Sequence, residues 1–210
     1  MPYYKSANIL LIHIPKTGGS SLETFLKKTH KQTLYLTRPE IKYNKIPDEN
    51  FKHISYQHQT YLTLYNYRKL LNINFNNINI ITIVRNPYDR IMSDLFYFKL
   101  INKDASQDVV FEALRNFINS KYCKYDNHNL PQYKYLVDKN NNLIKNITIF
   151  RTETLTKDLN NYGFNYQNNI INKNNVTSSN NYMEYLNKKS INLINLTYQK
   201  DFELINYKLL

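Results

Sequence analysis

The feature that most constrains the fold is a pair of adjacent glycines that follows a short apolar segment near the N-terminus. Residues 8–14 (NILLIHI) are almost continuously apolar, as expected of a strand buried on both faces of a parallel sheet. The segment continues through Pro15 and Lys16 into Gly18 and Gly19. The 210 residues include three glycines, so two of them together indicate a loop whose backbone needs unusual freedom.

Apolar runs along the rest of the chain alternate with segments of helical periodicity. Strands are predicted at 51–56, 78–84 and 146–150, and helices at 20–30, 61–71, 87–100, 107–120, 154–161 and 190–207. Ser20 or Ser21 is expected to cap the first helix, and Pro87 suits a first helical turn. This alternation predicts an α/β fold in which a P-loop-like parallel sheet is flanked by helices, within a single domain of residues 1–210.

The charge balance favours anionic partners, although the composition weakens that inference. The formal net charge is +12, from 28 Lys and Arg against 16 Asp and Glu. The chain is also crowded with Asn, Lys, Ile and Tyr, a bias that AT-rich coding alone can produce. Cys123 is the single cysteine, which excludes an internal disulfide and a zinc site built from cysteines. No signal pattern or long apolar run is visible, so the sequence predicts a soluble, cytoplasmic protein without a membrane span.

The loop after the first strand suits an anion but departs from the loop of nucleotide-hydrolysing enzymes. A strand, a glycine loop and a helix together present backbone N–H groups and the positive end of a helix dipole. The Walker A loop ends in Gly-Lys-Ser/Thr, whereas here Gly19 is followed by Ser20 and Lys16 precedes the glycines. Arg85 stands where a magnesium-binding aspartate would end the strand 78–84. A P-loop kinase or NTPase is thereby disfavoured and remains an alternative.

A second anion position is expected at the end of the strand 78–84. The carboxyl ends of parallel strands open onto the same crevice, which also contains the first loop. Arg85 ends that strand, and Ser93 lies in the helix that follows. A guanidinium with bidentate donors and a hydroxyl form a reasonable pair for a second phosphate.

These two segments carry a resemblance to a known family. IHIPKTGGSS (12–21) and IVRNPYDRIMS (83–93) resemble the two cofactor motifs of the sulfotransferase family, and are most similar to its heparan- and uronyl-type carbohydrate O-sulfotransferases with HIPKTGG loops. Weaker similarity at 128–132, 150–155 and 198–207 extends the likeness over nearly the whole chain. The resemblance implies the donor 3′-phosphoadenosine-5′-phosphosulfate (PAPS) and a hydroxyl-bearing acceptor such as a glycan. The positive net charge of the protein would favour an anionic glycan.

The resemblance also implies roles for residues within the two motifs. The loop residues would hold the 5′-phosphosulfate: Lys16, Thr17, Gly18, Gly19, Ser20 and Ser21. Arg85 and Ser93 would hold the 3′-phosphate. The ammonium of Lys16 could neutralise charge on the bridging oxygen as the sulfuryl group departs, so no metal is expected.

Transfer to a hydroxyl also needs a base that takes the acceptor's proton. The segment FKHISY is similar to the histidine-bearing strand of the glycan 2-O- and 6-O-sulfotransferases, which makes His53 the first candidate. His58 is the second, because the next turn of the chain could place it at the same mouth. Glu23 is a rival, because some sulfotransferases use a carboxylate shortly after the loop, although a solvent-facing helix glutamate is the expected interpretation. His13 is expected to be packed in the core, and His128 to have a structural role or to line the acceptor cleft.

Four further positions have modest expected roles. His30 ends a helix, where a surface position is expected. Arg90 could contact substrate or pair with Asp89 or Asp94, and an ion pair on the helix surface is the expected arrangement. Glu153 is expected to organise structure. Residues 174–178 lie where relatives have a loop that closes over the 3′-phosphate, although a plain exposed loop is the simpler expectation.

Two interpretations from other classes remain as alternatives. The 20 Tyr and 10 Phe among many lysines could stack on single-stranded nucleic acid. Most of these aromatics fall at core-periodic positions and no nucleic-acid motif accompanies them, so nucleic acid is not the expected partner. The second alternative is a degenerate sulfotransferase that binds nucleotide without turnover.

Overall fold

The computed structural model describes residues 2–30, 34–35, 54–166 and 182–210, and a twisted β-sheet forms its centre. Within these ranges the sheet has five strands: β1 (Pro2–Tyr4), β2 (Ile9–Ile12), β3 (Leu34–Tyr35), β4 (Asn79–Val84) and β5 (Ile147–Arg151). Their order is β3-β1-β2-β4-β5. The pairs β2–β4 and β4–β5 are parallel, while β1 pairs antiparallel with β2 and with β3. The predicted parallel sheet is confirmed at its centre, and the antiparallel edge is an addition to it.

Alternate residues of β2 and β4 point to opposite faces of the sheet, and both faces are buried. Leu10 and Ile12 belong to one apolar cluster, which also contains residues of β4 and of three helices. Ile9 and Leu11 belong to a second cluster on the other face, together with the first helix. Burial on both faces explains why these strands read as continuous apolar runs in the sequence.

Helices cover the sheet and extend beyond it. The described ranges contain α1 (Gly19–Thr29), α2 (Tyr61–Asn66), α3 (Pro87–Tyr97), α4 (Gln107–Ile118), α5 (Gln132–Tyr135), α6 (Leu155–Asn161), α7 (Lys188–Thr197) and α8 (Gln199–Ile205). A third apolar cluster joins α3, α4, α7 and α8. The prediction of an α/β fold with flanking helices is confirmed.

Several predicted boundaries are wrong for identifiable reasons. The helix predicted at 61–71 ends at Asn66, and the C-terminal helix predicted at 190–207 is two helices that meet at Tyr198. The first helix is capped by Gly18 and not by Ser20 or Ser21, because Gly18 adopts a left-handed conformation (φ 93°) that begins the helix earlier.

The predicted strand at 51–56 is also wrong in its described part. Residues 51–53 lie outside the described residues, and Tyr56–His58 form a short 3₁₀-helix. The backbone N–H of Ser55 donates to the carboxylate of Asp126 at 2.5 Å, so it has no ladder hydrogen bond to give to a neighbouring strand. The loop predicted at 174–178 likewise lies outside the described residues.

The C-terminal helix α8 positions the end of β4 through two buried side chains. The carboxylate of Asp201 accepts backbone N–H bonds from Gln132 and Tyr133, both at 2.8 Å. The Gln132 side chain in turn donates to the carbonyl of Arg85 at 2.8 Å and accepts from its backbone N–H at 3.0 Å. The backbone of Arg85 is therefore fixed on both sides by a residue that α8 holds in place.

Arg90 lies in the interior, so the predicted surface ion pair is wrong. Its side chain is 1% exposed, because the face of α3 that carries it packs beneath the glycine loop. The guanidinium donates to the carbonyls of Pro15 at 3.2 Å, His128 at 2.5 Å and Leu130 at 3.0 Å. A planar guanidinium has enough donors to satisfy three carbonyls from two separate segments of chain.

The burial of Asp201 predicts a pH-dependent loss of stability. Burial raises the pKa of its carboxyl to about 6, and the hydrogen bonds from Tyr133 and Gln132 and the charge of Arg90 only partly oppose this. Between pH 4 and 6 the folded state holds a proton that the unfolded state has lost, so the free energy of unfolding falls by about 3 kcal/mol as pH rises through this window. Urea unfolding at several pH values measures this quantity.

The variant Asp201→Asn isolates the effect. The stability advantage of the wild type over Asp201→Asn should shrink by about 3 kcal/mol between pH 4 and pH 6.5. Asp104 is exposed, so Asp104→Asn should follow the wild type throughout. The prediction would be contradicted if the free energies of unfolding of the wild type and of Asp201→Asn changed with pH in parallel.

Candidate active site

The glycine loop leaves the carboxyl end of β2 in an unusual backbone conformation. Lys16 has a φ of 61° and Gly18 a φ of 93°, both in the left-handed region. A lysine adopts that region rarely, so neighbouring contacts must maintain it. One such contact comes from Arg85, whose Nη1 donates to the carbonyl of Lys16 at 3.3 Å. The two motifs predicted from the sequence therefore touch each other.

The hydroxyls of two threonines tie the loop to the strands beneath it. Thr17 is buried, and its Oγ1 donates to the carbonyl of Ile14 at 2.8 Å. Thr152 follows β5, and its Oγ1 lies 2.7 Å from the carbonyl of Thr17 and 3.1 Å from that of Val84. Thr152 thus links the loop to the ends of β4 and β5.

Helix α1 begins within the loop and directs its amino end at the same region. The first backbone N–H groups of a helix have no partner within it, and the helix dipole makes that end positive. Ser20 is exposed, Ser21 is half-buried and Gly19 is buried. Of the six loop residues that the sequence predicted for anion binding, three precede α1 and three form its first turn.

Gly19 is required by the close approach of a histidine. A Cβ atom at this position would lie 2.4 Å from Cδ2 and Nε2 of His13, far inside normal contact distance. Each of the paired glycines is thus required for a separate physical reason. Gly18 supplies a positive φ, and Gly19 makes room for the imidazole.

The side chain of Lys16 lies against an aromatic ring. Its Nζ is 4.3 Å from the centroid of the Tyr97 ring, a cation–π contact. Burial lowers the pKa of the Lys16 ammonium; the charge of Asp94 opposes this shift and that of Arg85 adds to it. Lys16 is therefore a partly desolvated cation at the start of a glycine loop.

The second predicted anion position is only partly exposed to a ligand. Arg85 is half-buried at the end of β4, with its guanidinium 5.8 Å from the centroid of the Tyr182 ring. Ser93 is buried in α3. The structure brings Arg85 to the loop, and the role of Ser93 at a second phosphate stays a prediction.

Three histidines form a row beside the loop. The ring centroids of His13 and His58 are 5.3 Å apart, those of His58 and His128 are 4.9 Å apart, and both pairs meet edge to face. Each ring binds a different carboxylate through Nδ1: His13 with Glu23, His58 with Asp126 at 2.8 Å, and His128 with Asp94 at 2.6 Å. A carboxylate at Nδ1 orients the imidazole and leaves Nε2 to exchange protons with a substrate.

The row confirms some sequence expectations and overturns one. His13 is packed and hydrogen-bonded as expected, and His128 is buried and paired. Glu23 does not face solvent, because this side of α1 packs against His13, and the residue is 5% exposed. Gln57 adds a hydrogen bond from Nε2 to the Glu23 carboxylate at 2.9 Å.

Sequence reasoning missed the roles of two carboxylates, and the structure does not describe one candidate base. Asp126 lies 68 positions from His58, and no local pattern links them. From the sequence, Asp94 is expected only as a possible surface partner for Arg90, whereas it is completely buried against His128. His53, the first candidate base, lies outside the described residues.

Burial lowers the pKa of two of the histidines. For His58, burial is the largest cause of the lowered pKa; the hydrogen bond that its Nδ1 donates to Asp126 opposes this shift, and the charge of the neighbouring His13 adds to it. For His128 burial also lowers the pKa, with Asp94 opposing. Burial raises the pKa of Asp126, but the hydrogen bond and charge of His58 together with the hydrogen bonds from Ser55 outweigh that effect and lower the pKa overall. Neutral imidazoles at His58 and His128, the first of them beside the ionised carboxylate of Asp126, are therefore available at neutral pH.

Two peripheral residues lie as the sequence suggested. Glu153 accepts hydrogen bonds from the backbone N–H of Asn86 at 2.7 Å and from the hydroxyl of Tyr207 at 2.8 Å, which ties the end of β4 to the C-terminus. His30 ends α1 and is half-buried.

The described part of the chain contains neither a metal-binding cluster nor a membrane-spanning helix. Within those ranges, no group of three or more His, Cys, Asp or Glu side chains is arranged to hold a metal ion. None of the helices described there combines the length and the apolar character needed to cross a membrane.

The contact between Gly19 and His13 predicts an unusual effect of alanine. Gly→Ala within a helix normally stabilises a protein, but Gly19→Ala should lower the free energy of unfolding by about 2 kcal/mol because the new methyl group overlaps the imidazole. Chemical denaturation measures the change. Ser20→Ala, at the exposed neighbouring position, should stay within about 0.5 kcal/mol of the wild type. A neutral or stabilising Gly19→Ala would mean that the His13 ring moves freely.

Comparison with known proteins agrees with the geometry of the loop. The model of the Sulfotransferase family matches residues 3–208. Searches of curated proteins and of solved structures returned no significant match. Because the matched region covers almost the entire chain, the protein belongs to the sulfotransferase family.

Proposed function

We propose that the protein is a PAPS-dependent O-sulfotransferase that transfers a sulfuryl group to a hydroxyl, most reasonably that of a carbohydrate. The observation that carries the proposal is the contact between Arg85 and the carbonyl of Lys16. It joins the two segments that would bind the two phosphate positions of one donor. Membership of the sulfotransferase family supports the reaction class, and the basic net charge supports an anionic acceptor.

The residues of the loop fit the donor's 5′-phosphosulfate. Lys16 supplies a half-buried cation, and the start of α1 supplies backbone N–H groups. Arg85 has further N–H groups beyond its bond to Lys16, and these fit the 3′-phosphate. Ser20 and Ser21 would add hydroxyls at the mouth of the loop.

The chemistry requires one bond to form and one to break. The bound donor supplies an activated sulfuryl group, whose sulfur bonds to the acceptor oxygen as its bond to the bridging phosphate oxygen breaks. Lys16 neutralises the negative charge that develops on that bridging oxygen. A base on the protein takes the proton of the acceptor hydroxyl.

His58 is the described residue best suited to be that base. Its Nδ1 is bound to Asp126, so Nε2 is the atom that would take the proton. The lowered pKa keeps the ring neutral at neutral pH, which a base requires. Glu23 is committed to His13 and is the weaker candidate. His53 stays a prediction from the sequence.

The alternatives receive less support. A nucleotide kinase or NTPase would need the lysine after the glycines and an acidic strand end, and neither is present. A nucleic-acid-binding role would need exposed aromatics along a basic groove, whereas the three core clusters take up most of the aromatic side chains that the structure describes. A degenerate sulfotransferase, which binds nucleotide without turnover, would be recognised by nucleotide binding in the absence of sulfuryl transfer.

The first prediction of the proposal concerns nucleotide binding. Isothermal titration should show that the protein binds 3′-phosphoadenosine-5′-phosphate (PAP) and does not bind ATP–Mg²⁺ with comparable affinity. Arg85→Ala should weaken PAP at least about tenfold, because a charge-assisted hydrogen bond to the 3′-phosphate is lost, while the affinity for adenosine 5′-monophosphate should change little.

Arg115 provides the control for general charge effects. It is exposed on α4 and paired with Glu112, so Arg115→Ala should bind both nucleotides as the wild type does. Equal losses for both nucleotides in Arg85→Ala would assign Arg85 to holding the loop and not to the 3′-phosphate. Preference for ATP–Mg²⁺ would favour the kinase alternative.

The second prediction concerns the base. With radiolabelled PAPS and any acceptor glycan that supports turnover, His58→Gln should lower kcat at least about 100-fold. Wild-type kcat should rise with pH below 6.5 and level off above it, because the protonated imidazole cannot accept a proton and its pKa is lowered in the fold. His30→Gln, at the end of α1, should retain full activity. Normal turnover by His58→Gln would move the role to another residue, with His53 next.

A further inference from the structure

Four residues on one face of α3 and at its C-terminal end contact His128. Arg90 donates to its carbonyl, and Asp94 binds its Nδ1. Tyr97 stacks on its ring with centroids 5.5 Å apart and planes 2° apart, and Phe98 meets the ring edge-on at 4.9 Å. Positions 90, 94, 97 and 98 follow the spacing of a single helical face, so one helix fixes both the backbone and the ring of His128.

This arrangement makes the Tyr97 ring a fixed surface and not a mobile side chain. Tyr97 is the last residue of α3 and is 52% exposed, a position where a side chain would ordinarily be free to change rotamer. The parallel stack on a buried, hydrogen-bonded imidazole restricts that freedom. An aromatic ring is therefore held at the surface beside the glycine loop.

The ammonium of Lys16 rests over this ring. The 4.3 Å separation between Nζ and the ring centroid is well within the range of cation–π attraction. The charged groups that act on Lys16 are Asp94 on α3, which favours the ammonium, and Arg85 at the end of β4, which disfavours it. A lysine side chain has four rotatable bonds, so a loop that places its backbone does not by itself place its charge.

We propose that Tyr97 is a positioning residue, which holds the Lys16 ammonium at the mouth of the glycine loop so that it meets the 5′-phosphate end of the nucleotide. The inference rests on the proposed function, because it assumes that Lys16 contacts that phosphate. His128 and Asp94 act one step further back, by holding the Tyr97 ring.

The physical reason is that the ring lowers the cost of binding. A lysine that is already confined loses less conformational freedom when an anion arrives. The ring face also partly compensates the desolvation of the ammonium, which burial would otherwise penalise. Both effects act only through Lys16, so they disappear when Lys16 has no ammonium group.

A double-mutant cycle on PAP affinity tests the proposal. Titration calorimetry is performed on the wild type, Tyr97→Leu, Lys16→Ala and the double variant. Tyr97→Leu should weaken PAP about three- to tenfold in the wild-type background and less than about 1.5-fold in the Lys16→Ala background, where nothing is left for the ring to position.

Two further variants sharpen the result. Tyr97→Phe keeps the aromatic face and should restore wild-type affinity, because the contact is with the ring and not with the hydroxyl. Tyr65 is a matched control: it is 39% exposed and carries the guanidinium of Arg68 over its ring at 4.2 Å, but it lies on α2. Tyr65→Leu should leave PAP affinity unchanged.

Three outcomes would overturn the proposal. Equal losses from Tyr97→Leu in both backgrounds would show direct contact of Tyr97 with the nucleotide. Tighter binding by Tyr97→Leu would show that the ring holds Lys16 away from the phosphate. No effect in either background, with PAP still binding the wild type, would show that the contact is incidental.

The failure of the proposed function has a different signature. A wild-type protein that does not bind PAP would overturn the donor assignment itself. Thermal unfolding of each variant confirms that affinities are compared between folded proteins. If Tyr97→Leu fails to fold, Tyr97→Gln takes its place at this half-exposed position, with the same expected losses.

Discussion

The parallel pairing of β2 with β4 is the constraint on which the rest of the site depends. Ile12 lies opposite Thr82 in this ladder, and the hydroxyl of Thr82 donates to the carbonyl of Ile12 at 2.8 Å. Because the strands run in the same direction and in this register, the loop after β2 and Arg85 after β4 emerge at the same edge. Two segments nearly seventy positions apart then share one crevice.

A series of hydrogen bonds connects the glycine loop to the C-terminal helix α8. Asp201 on α8 binds the backbone of Gln132, the Gln132 side chain holds the backbone of Arg85, and the Arg85 guanidinium holds the carbonyl of Lys16. The left-handed conformation of Lys16 is therefore supported by groups that lie far away in the sequence. Ionised Asp201 costs the fold about 3 kcal/mol of stability, yet its hydrogen bonds fix the backbone that positions Arg85.

The success of sequence-based prediction differed between local and non-local features. The glycine loop, the start of α1 and the strand before Arg85 were predictable, because each depends on residues adjacent in the chain. The solvent-facing position predicted for Glu23 and the surface ion pair predicted for Arg90 were wrong. Both residues point into the interior, and helical periodicity does not show which polar residue finds a buried partner.

By itself, the sequence determined the type of fold, the position of the glycine loop and the resemblance to sulfotransferases, since motif spacing and apolar period are properties of neighbouring residues. Only the tertiary structure decided which carboxylate orients which imidazole, and that Tyr97 lies beneath the Lys16 ammonium. The partners in those contacts come from different elements, and packing selects them by complementarity of charge and shape over distances that no local pattern records.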